Sequence, residues 1–131
     1  MTEHPALTLE RFIFYVEERS RLLKWLENRD NYEKELLEEL ESFPPPPHFL
    51  PFDKLAEEIR ETLNNLPVIE RKVRFDLEVL ENAPVRRQFE AMIPADCASA
   101  DDLKYMQDLI FREEAATLEE AIEICRTEKL P

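Results

Sequence analysis

The sequence ELESFPPPPHFLPFDKL, residues 39–55, contains four consecutive prolines between two segments of helical pattern. Proline does not continue a helix, because it lacks the backbone N–H and its ring clashes with the preceding turn. The run Pro44–Pro47 therefore predicts that one helical segment ends near Ser42, and Asp53 predicts the start of another. The large apolar residues beside the prolines predict that this corner packs against the body of the protein.

The chain before the corner has the apolar spacing of helices. Residues 8–29 predict a first helix that begins after Thr8. Asp30 or Asn31 is expected to cap or kink the chain there. Residues 31–43 then form either a second helix or a continuation of the first.

After the corner, the pattern of residues 53–66 predicts another helix. Pro67 either ends this helix or is the first residue of the next one. Residues 68–82 match both a helical and an alternating strand pattern. We favour the helix, because a single strand would have no partner elsewhere in the chain. A short helix is expected between Pro84 and Pro94.

Two capping signals mark the C-terminal part of the chain. Ser99 precedes one amphipathic segment, and Thr117 with Glu120 forms a capping box before another. The short connector predicts that the two helices pair in an antiparallel hairpin over residues 99–130. The sequence thus predicts an all-α bundle of five to six helices in a single acidic domain, residues 1–131, with a proline-rich connector at 43–52.

The chain of 131 residues contains no glycine. Glycine supplies positive φ angles and lets the backbone approach phosphates closely. Its absence excludes Walker loops, dinucleotide-binding fingerprints and nucleophile elbows. It also disfavours all-β folds, because two-residue hairpin turns depend on glycine. Helices joined at proline corners have no such need.

The net charge of −13 disfavours direct binding to nucleic acid, because phosphate backbones would be repelled. An acidic inhibitor or DNA mimic that blocks a basic surface is a further alternative. No apolar run reaches the roughly 18 residues of a membrane span. The N-terminus lacks the pattern of a secretory signal, and the two cysteines form no C-x-x-C pair, so we expect a cytoplasmic protein.

The first helix is apolar over more than half of its circumference. Phe14, Tyr15, Leu22 and Trp25 fall outside its main stripe. Such a helix is either buried at the centre of a bundle or shared with a partner. These four residues are therefore interface candidates, and the expected partner is another protein or a second copy of the chain.

The proline run adds Phe43 and Phe49 to the interface candidates. An aromatic residue before four prolines is the type of peptide that EVH1 modules bind, and polyproline II segments are ordered before binding. The alternative is a stiff spacer that turns the chain between two helices. We favour the spacer, because recognition peptides usually lie in disordered sequence.

Glutamates spaced three apart supply the main enzyme alternative. This spacing places two carboxylates on one helical face, and two such pairs facing each other would suit Mg²⁺ or Mn²⁺. A metal-dependent all-α hydrolase of the nucleotide pyrophosphohydrolase type would use this layout. The candidate ligands are Glu35, Glu38, Glu58, Glu61, Glu78 and Glu81. The favoured prediction remains a small acidic adaptor, regulator or accessory subunit without catalytic activity or cofactor.

Overall fold

The computed structural model describes residues 3–44 and 50–129, and of Leu50 it describes the backbone only. These residues form five α-helices and one short 3-10 helix, with no β-strand among them. The prediction of an all-α fold is confirmed. Of the proline run, Pro45–Pro47 lie outside the described residues, as do His48 and Phe49. The helices are α1 (Pro5–Glu41), α2 (Leu50–Asn82), α3 (Pro84–Met92), α4 (Ala100–Phe111) and α5 (Leu118–Lys129), with the 3-10 helix at Ala95–Cys97.

The first two predicted helical segments form one helix, so the alternative of a continuation is correct. The break expected at Asp30 or Asn31 is absent, because both residues are exposed and their polar side chains face water rather than competing for the backbone. Arg29 contacts Asp30 and also pairs with Glu33 one turn further on. Pairs at this spacing stabilise a helix across residues of low propensity.

Pro67 lies inside α2 and neither ends nor starts a helix, which corrects the expected boundary. A proline costs about 3 kcal/mol in a helix interior. The apolar residues on both sides of it outweigh that cost, since Leu66, Val73 and Leu77 are all buried. The helix favoured over a strand for residues 68–82 is confirmed.

The chain divides into two compact units. The terminal unit comprises Met1–Ser20 and Val79–Pro131, and the central unit comprises Arg21–Glu78. The division falls within α1 and within α2. The expectation of a single domain stays a prediction.

The terminal unit contains a well-formed hydrophobic core. Phe12 is fully buried, and its ring meets that of Phe89 edge-on at 5.5 Å between centroids. Cys97 and Cys125 are free and buried in this core. Burial and a hydrogen bond with Cys97 raise the pKa of Cys125 to about 11. The buried members are Ala6, Leu9, Phe12, Ile13, Ile93, Cys97, Leu103, Met106, Leu109, Ile110, Ala115, Leu118, Ala121 and Cys125.

Helices α4 and α5 begin at the predicted caps. The Ser99 hydroxyl accepts a hydrogen bond from the backbone N–H of Asp102 at 3.1 Å. The Thr117 hydroxyl accepts one from the N–H of Glu120 at 3.2 Å. Lys129, at the end of α5, pairs with Asp102, at the start of α4. The two helices are therefore antiparallel, as predicted.

The end of α4 shows a feature that the sequence did not reveal. Glu113 has a φ of 61°. The N–H of Glu113 donates to the carbonyl of Ile110, and the N–H of Glu114 donates to that of Leu109. This pair of bonds is a Schellman motif, whose left-handed position usually holds glycine. A glutamate occupies it in this glycine-free chain.

None of the helices in residues 3–44 and 50–129 combines the length and the apolarity that crossing a bilayer requires.

Candidate interaction surface

The central unit pairs the second part of α1 with the first part of α2. Arg29 Nε lies 3.2 Å from Glu70 Oε1, and the rings of Phe43 and Phe52 are 5.9 Å apart. Because the later residue of α1 meets the earlier residue of α2, the two segments run antiparallel. This arrangement is a helical hairpin with a groove between its two helices.

The groove has a volume of about 540 Å³. One wall is a stripe on α1 in which Trp25, Asn28 and Tyr32 succeed one another by three or four residues, the spacing of one helical face. The other wall comes from α2, where Leu66 is fully buried. The lining residues are Arg21, Lys24, Trp25, Asn28, Arg29, Tyr32, Thr62, Leu66 and Ile69.

The charged residues that line the groove are all cationic, although the chain as a whole carries −13. They are Arg21, Lys24 and Arg29. Arg21 and Lys24 place positive charge beside the apolar wall formed by Trp25 and Tyr32. Such a surface suits an amphipathic segment that carries acidic residues.

Arg29 is held by its neighbours. Its side chain is largely buried and pairs with Glu33 and Glu70. The hydrogen bond to Glu33 raises the pKa of Arg29 above its ordinary value. Its Nε is buried without a hydrogen bond, because the N–H is not aimed at the nearby Glu70 oxygen. Arg29 therefore fixes α1 to α2 and shapes the groove.

Among the residues that the structure describes, the central unit exposes more large apolar side chains than it buries. Its buried apolar residues are Leu22, Ala56, Ile59, Leu66, Val73 and Leu77, and none of them belongs to the core cluster of the terminal unit. Its exposed ones are Leu23, Tyr32, Leu37, Phe52, Leu55, Val68, Ile69 and Phe75. Two helices cannot enclose a core between them, so their apolar faces remain in contact with water. Exposed apolar surface of this kind is typical of interaction sites.

The structure places the interface candidates of helix α1 in different environments. Phe14 is exposed over 66% of its surface. Tyr15 is buried, with its ring 5.6 Å from that of Phe89, and Leu22 is also buried. Core burial therefore accounts for both. Trp25 is half-buried in the wall of the groove.

The two candidates from the proline corner differ as well. Phe43 is half-buried against Phe52. Phe49 lies outside the described residues. The choice between a spacer and a recognition peptide stays a prediction.

The glutamates proposed as metal ligands are not brought together with further ligands. Across residues 3–44 and 50–129, no group of three or more His, Cys, Asp or Glu side chains is close enough to hold a metal ion. Glu81 is half-buried and pairs with Arg19 at 3.9 Å. The exposed members are Glu35, Glu38, Glu58, Glu61 and Glu78.

Tyr32 and Ile69 line the groove but were not among the predicted interface residues. The break expected near Asp30 separated Tyr32 from Trp25, although the two lie seven residues apart on one face of an unbroken helix. The regular series of residues 21, 25, 28 and 32 was the available signal for the α1 wall.

Comparison with known proteins gives no relative for this chain. No protein-family model matches it, and neither a curated protein nor a solved structure is significantly similar to it.

Proposed function

We propose that this protein acts by binding other proteins, as an adaptor, regulator or accessory subunit rather than as an enzyme. The observation that carries the proposal is the apolar groove of the central unit, walled by Trp25, Tyr32 and Ile69. A helical hairpin with such a groove is completed when a further helix packs into it and forms a bundle.

The energetics favour this use of the groove. Each apolar side chain that moves from water into an interface contributes about 1.5–3 kcal/mol when fully buried. Tyr32 and Ile69 are exposed over 43% and 40% of their surfaces, so part of this contribution remains available. Aromatic residues at the centre of a patch supply most of the binding energy of a typical interface.

The proposal includes a cytoplasmic location. The two cysteines support it, because Cys97 and Cys125 are buried in one core and remain free thiols. Disulfides are common in oxidising compartments and rare in the cytoplasm.

A pair of matched variants tests the interaction. Trp25→Glu places a charge in the wall of the groove, and we expect it to abolish chemical cross-links between this chain and bound proteins in cells. Phe75→Glu is the control, because Phe75 is 63% exposed and lies nine residues from Leu66, on the opposite side of α2.

The folded state of both variants is checked by circular dichroism. If Trp25→Glu folds and keeps the same cross-linked proteins as the wild type, the groove is not the interaction surface and the proposal is wrong.

A further inference from the structure

The groove face of the central unit is electrically polarised from one end to the other. Its walls carry Arg21 and Lys24 at the end away from the corner. Helical spacing carries the same face of α1 on to Glu35, seven residues after Asn28, and to Glu39, seven residues after Tyr32. Both glutamates are exposed.

The α2 side of this face is also acidic at the corner end. Glu58 lies one turn before Thr62, and Leu55 lies two turns before it, so both continue the groove wall toward the corner. Glu58 is exposed, and Leu55 is 44% exposed. The face therefore has acidic and apolar groups of both helices at its corner end, and the cationic groups of α1, Arg21 and Lys24, at its other end.

Charge counts for the whole central unit agree with this face. Residues 33–61 contain nine acidic and three basic residues. The rest of the unit, residues 21–32 and 62–78, contains five acidic and six basic residues. The unit is strongly acidic near the corner and close to neutral, with a slight positive excess, at its other end.

We propose that the groove binds the central unit of a second copy of this chain, in an antiparallel four-helix arrangement. This inference rests on the proposed function and names its partner. A two-fold axis across the groove face sets the acidic corner end of each copy against the cationic end of the other. A parallel arrangement would oppose like charges at both ends and is disfavoured.

The size of the face is sufficient for a reversible dimer. About 20 residues of each helix give a face about 30 Å long. Two adjacent helices are about 20 Å wide, so each copy buries about 600 Å². The total, about 1,200 Å², is at the lower limit of specific protein interfaces. We therefore expect a dimer whose population depends on protein concentration.

The net charge of the chain opposes association without preventing it. Charges separated by more than about 8 Å are largely screened at physiological ionic strength. Opposite charges that meet across the proposed interface would lie within that range, so their attraction would be screened less than the general repulsion between two chains of −13.

Sedimentation equilibrium of the purified full chain over a range of concentrations tests the dimer. Three charge variants probe its orientation. The first carries Arg21→Glu with Lys24→Glu, the second carries Glu35→Lys with Glu39→Lys, and the third combines all four changes. We expect each of the first two to weaken the dimer at least tenfold and the third to restore it, because the opposed charges are exchanged.

A control variant separates this effect from a change in net charge. Arg60→Glu with Arg71→Glu alters the net charge by the same amount as the first variant. Both residues are exposed, and they lie nine positions from Ile69 and from Thr62 respectively, on the side of α2 opposite the groove wall. We expect this variant to dimerise like the wild type.

The outcomes distinguish this inference from the proposed function. A wild-type chain that is monomeric at every concentration overturns the dimer proposal. A combined variant that dimerises as weakly as the first two variants also overturns it. If Trp25→Glu nevertheless abolishes cross-links to other proteins, the groove binds a different partner and the proposed function stands. If the groove variants change neither the dimerisation nor the cross-linking to other proteins, both proposals are wrong.

Discussion

Asp96 and Arg126 form an ion pair that ties the 3-10 helix to α5. The guanidinium donates two hydrogen bonds to the carboxylate, at 2.9 and 3.0 Å. These bonds hold the pKa of Asp96 below its ordinary value. Lys129, the last residue of α5, also contacts Asp96, by a hydrogen bond to its backbone carbonyl, so two residues of α5 bind the 3-10 helix.

The pair predicts a pH-dependent contribution to stability. A carboxyl group whose pKa is lower in the folded state stabilises the protein above its unfolded pKa, and the contribution disappears as the pH falls through the folded pKa. Asp96→Asn should therefore lower the thermal midpoint at pH 7, and the difference from the wild type should close below about pH 4. Thermal unfolding between these pH values measures it.

The control for this prediction is Glu123→Gln. Glu123 is exposed on α5, and the substitution removes the same charge from the same unit. We expect the thermal midpoint of Glu123→Gln, relative to the wild type, to change little between pH 7 and about pH 4. An equal response of both variants would mean that the effect comes from net charge and not from the pair.

At the scale of the elements, the end of α4 is unusual because a non-glycine residue, Glu113, has a positive φ angle. A residue with a β-carbon in the left-handed region costs roughly 1–2 kcal/mol. Glu113 adopts this conformation because the two Schellman hydrogen bonds and the return of the chain into α5 require it. The side chain itself is exposed.

Glu113→Gly should therefore stabilise the protein, by about 1 kcal/mol. Glu123→Gly is the matched control, because it places the same substitution in a helix interior, where glycine costs about 1 kcal/mol. Urea unfolding of both variants measures the two effects. A loss of stability in Glu113→Gly would mean that the glutamate side chain contributes more than its backbone conformation costs.

Replacement of Pro67, which lies within α2, should also increase the stability of the protein. Pro67→Ala restores a backbone N–H in the helix interior, and we expect the free energy of unfolding to rise by up to about 3 kcal/mol. Pro84→Ala is the control, since Pro84 lies at the start of α3, where proline is well tolerated. Similar effects from both substitutions would contradict this account of Pro67.

At the scale of the whole molecule, apolar burial is unequal between the units. The terminal unit has the buried cluster around Phe12 and Leu103, while the central unit exposes many of its apolar residues. Regions with few buried contacts open at a lower free energy. We expect backbone amides of residues 103–110 to exchange with solvent more slowly than those of residues 21–35, measured by hydrogen exchange at low protein concentration. Equal protection would contradict this difference in stability.

Features that depend on residues close together in the sequence were predictable, and features that depend on distant packing were not. The caps at Ser99 and Thr117 were predicted, because their bonding partners lie within three residues. The break expected at Asp30 or Asn31 is absent because both side chains are exposed to water, and the boundary expected at Pro67 is absent because the packing of its buried neighbours outweighs the local preference. The burial of Tyr15 and the exposure of Phe14 were not distinguishable, since a helix that is apolar on most sides does not show which side is covered.

The groove depended on information that no local pattern contains. Its two walls, at Trp25 and Leu66, are separated by 41 positions in the chain. Their meeting depends on the way α1 and α2 pair across the corner. The chemistry of each wall was visible in the sequence, and their association was not.

The terminal unit joins the two ends of the chain, which bears on how the protein is made. Gln107 donates a hydrogen bond to the carbonyl of Ala6, 101 positions earlier. During synthesis the apolar face of the first helix emerges long before α4 leaves the ribosome. Contacts this distant in sequence slow folding, because the intervening loop must close first. Leu9 and Phe12 therefore lack their core partners on the nascent chain until α4 has been synthesised.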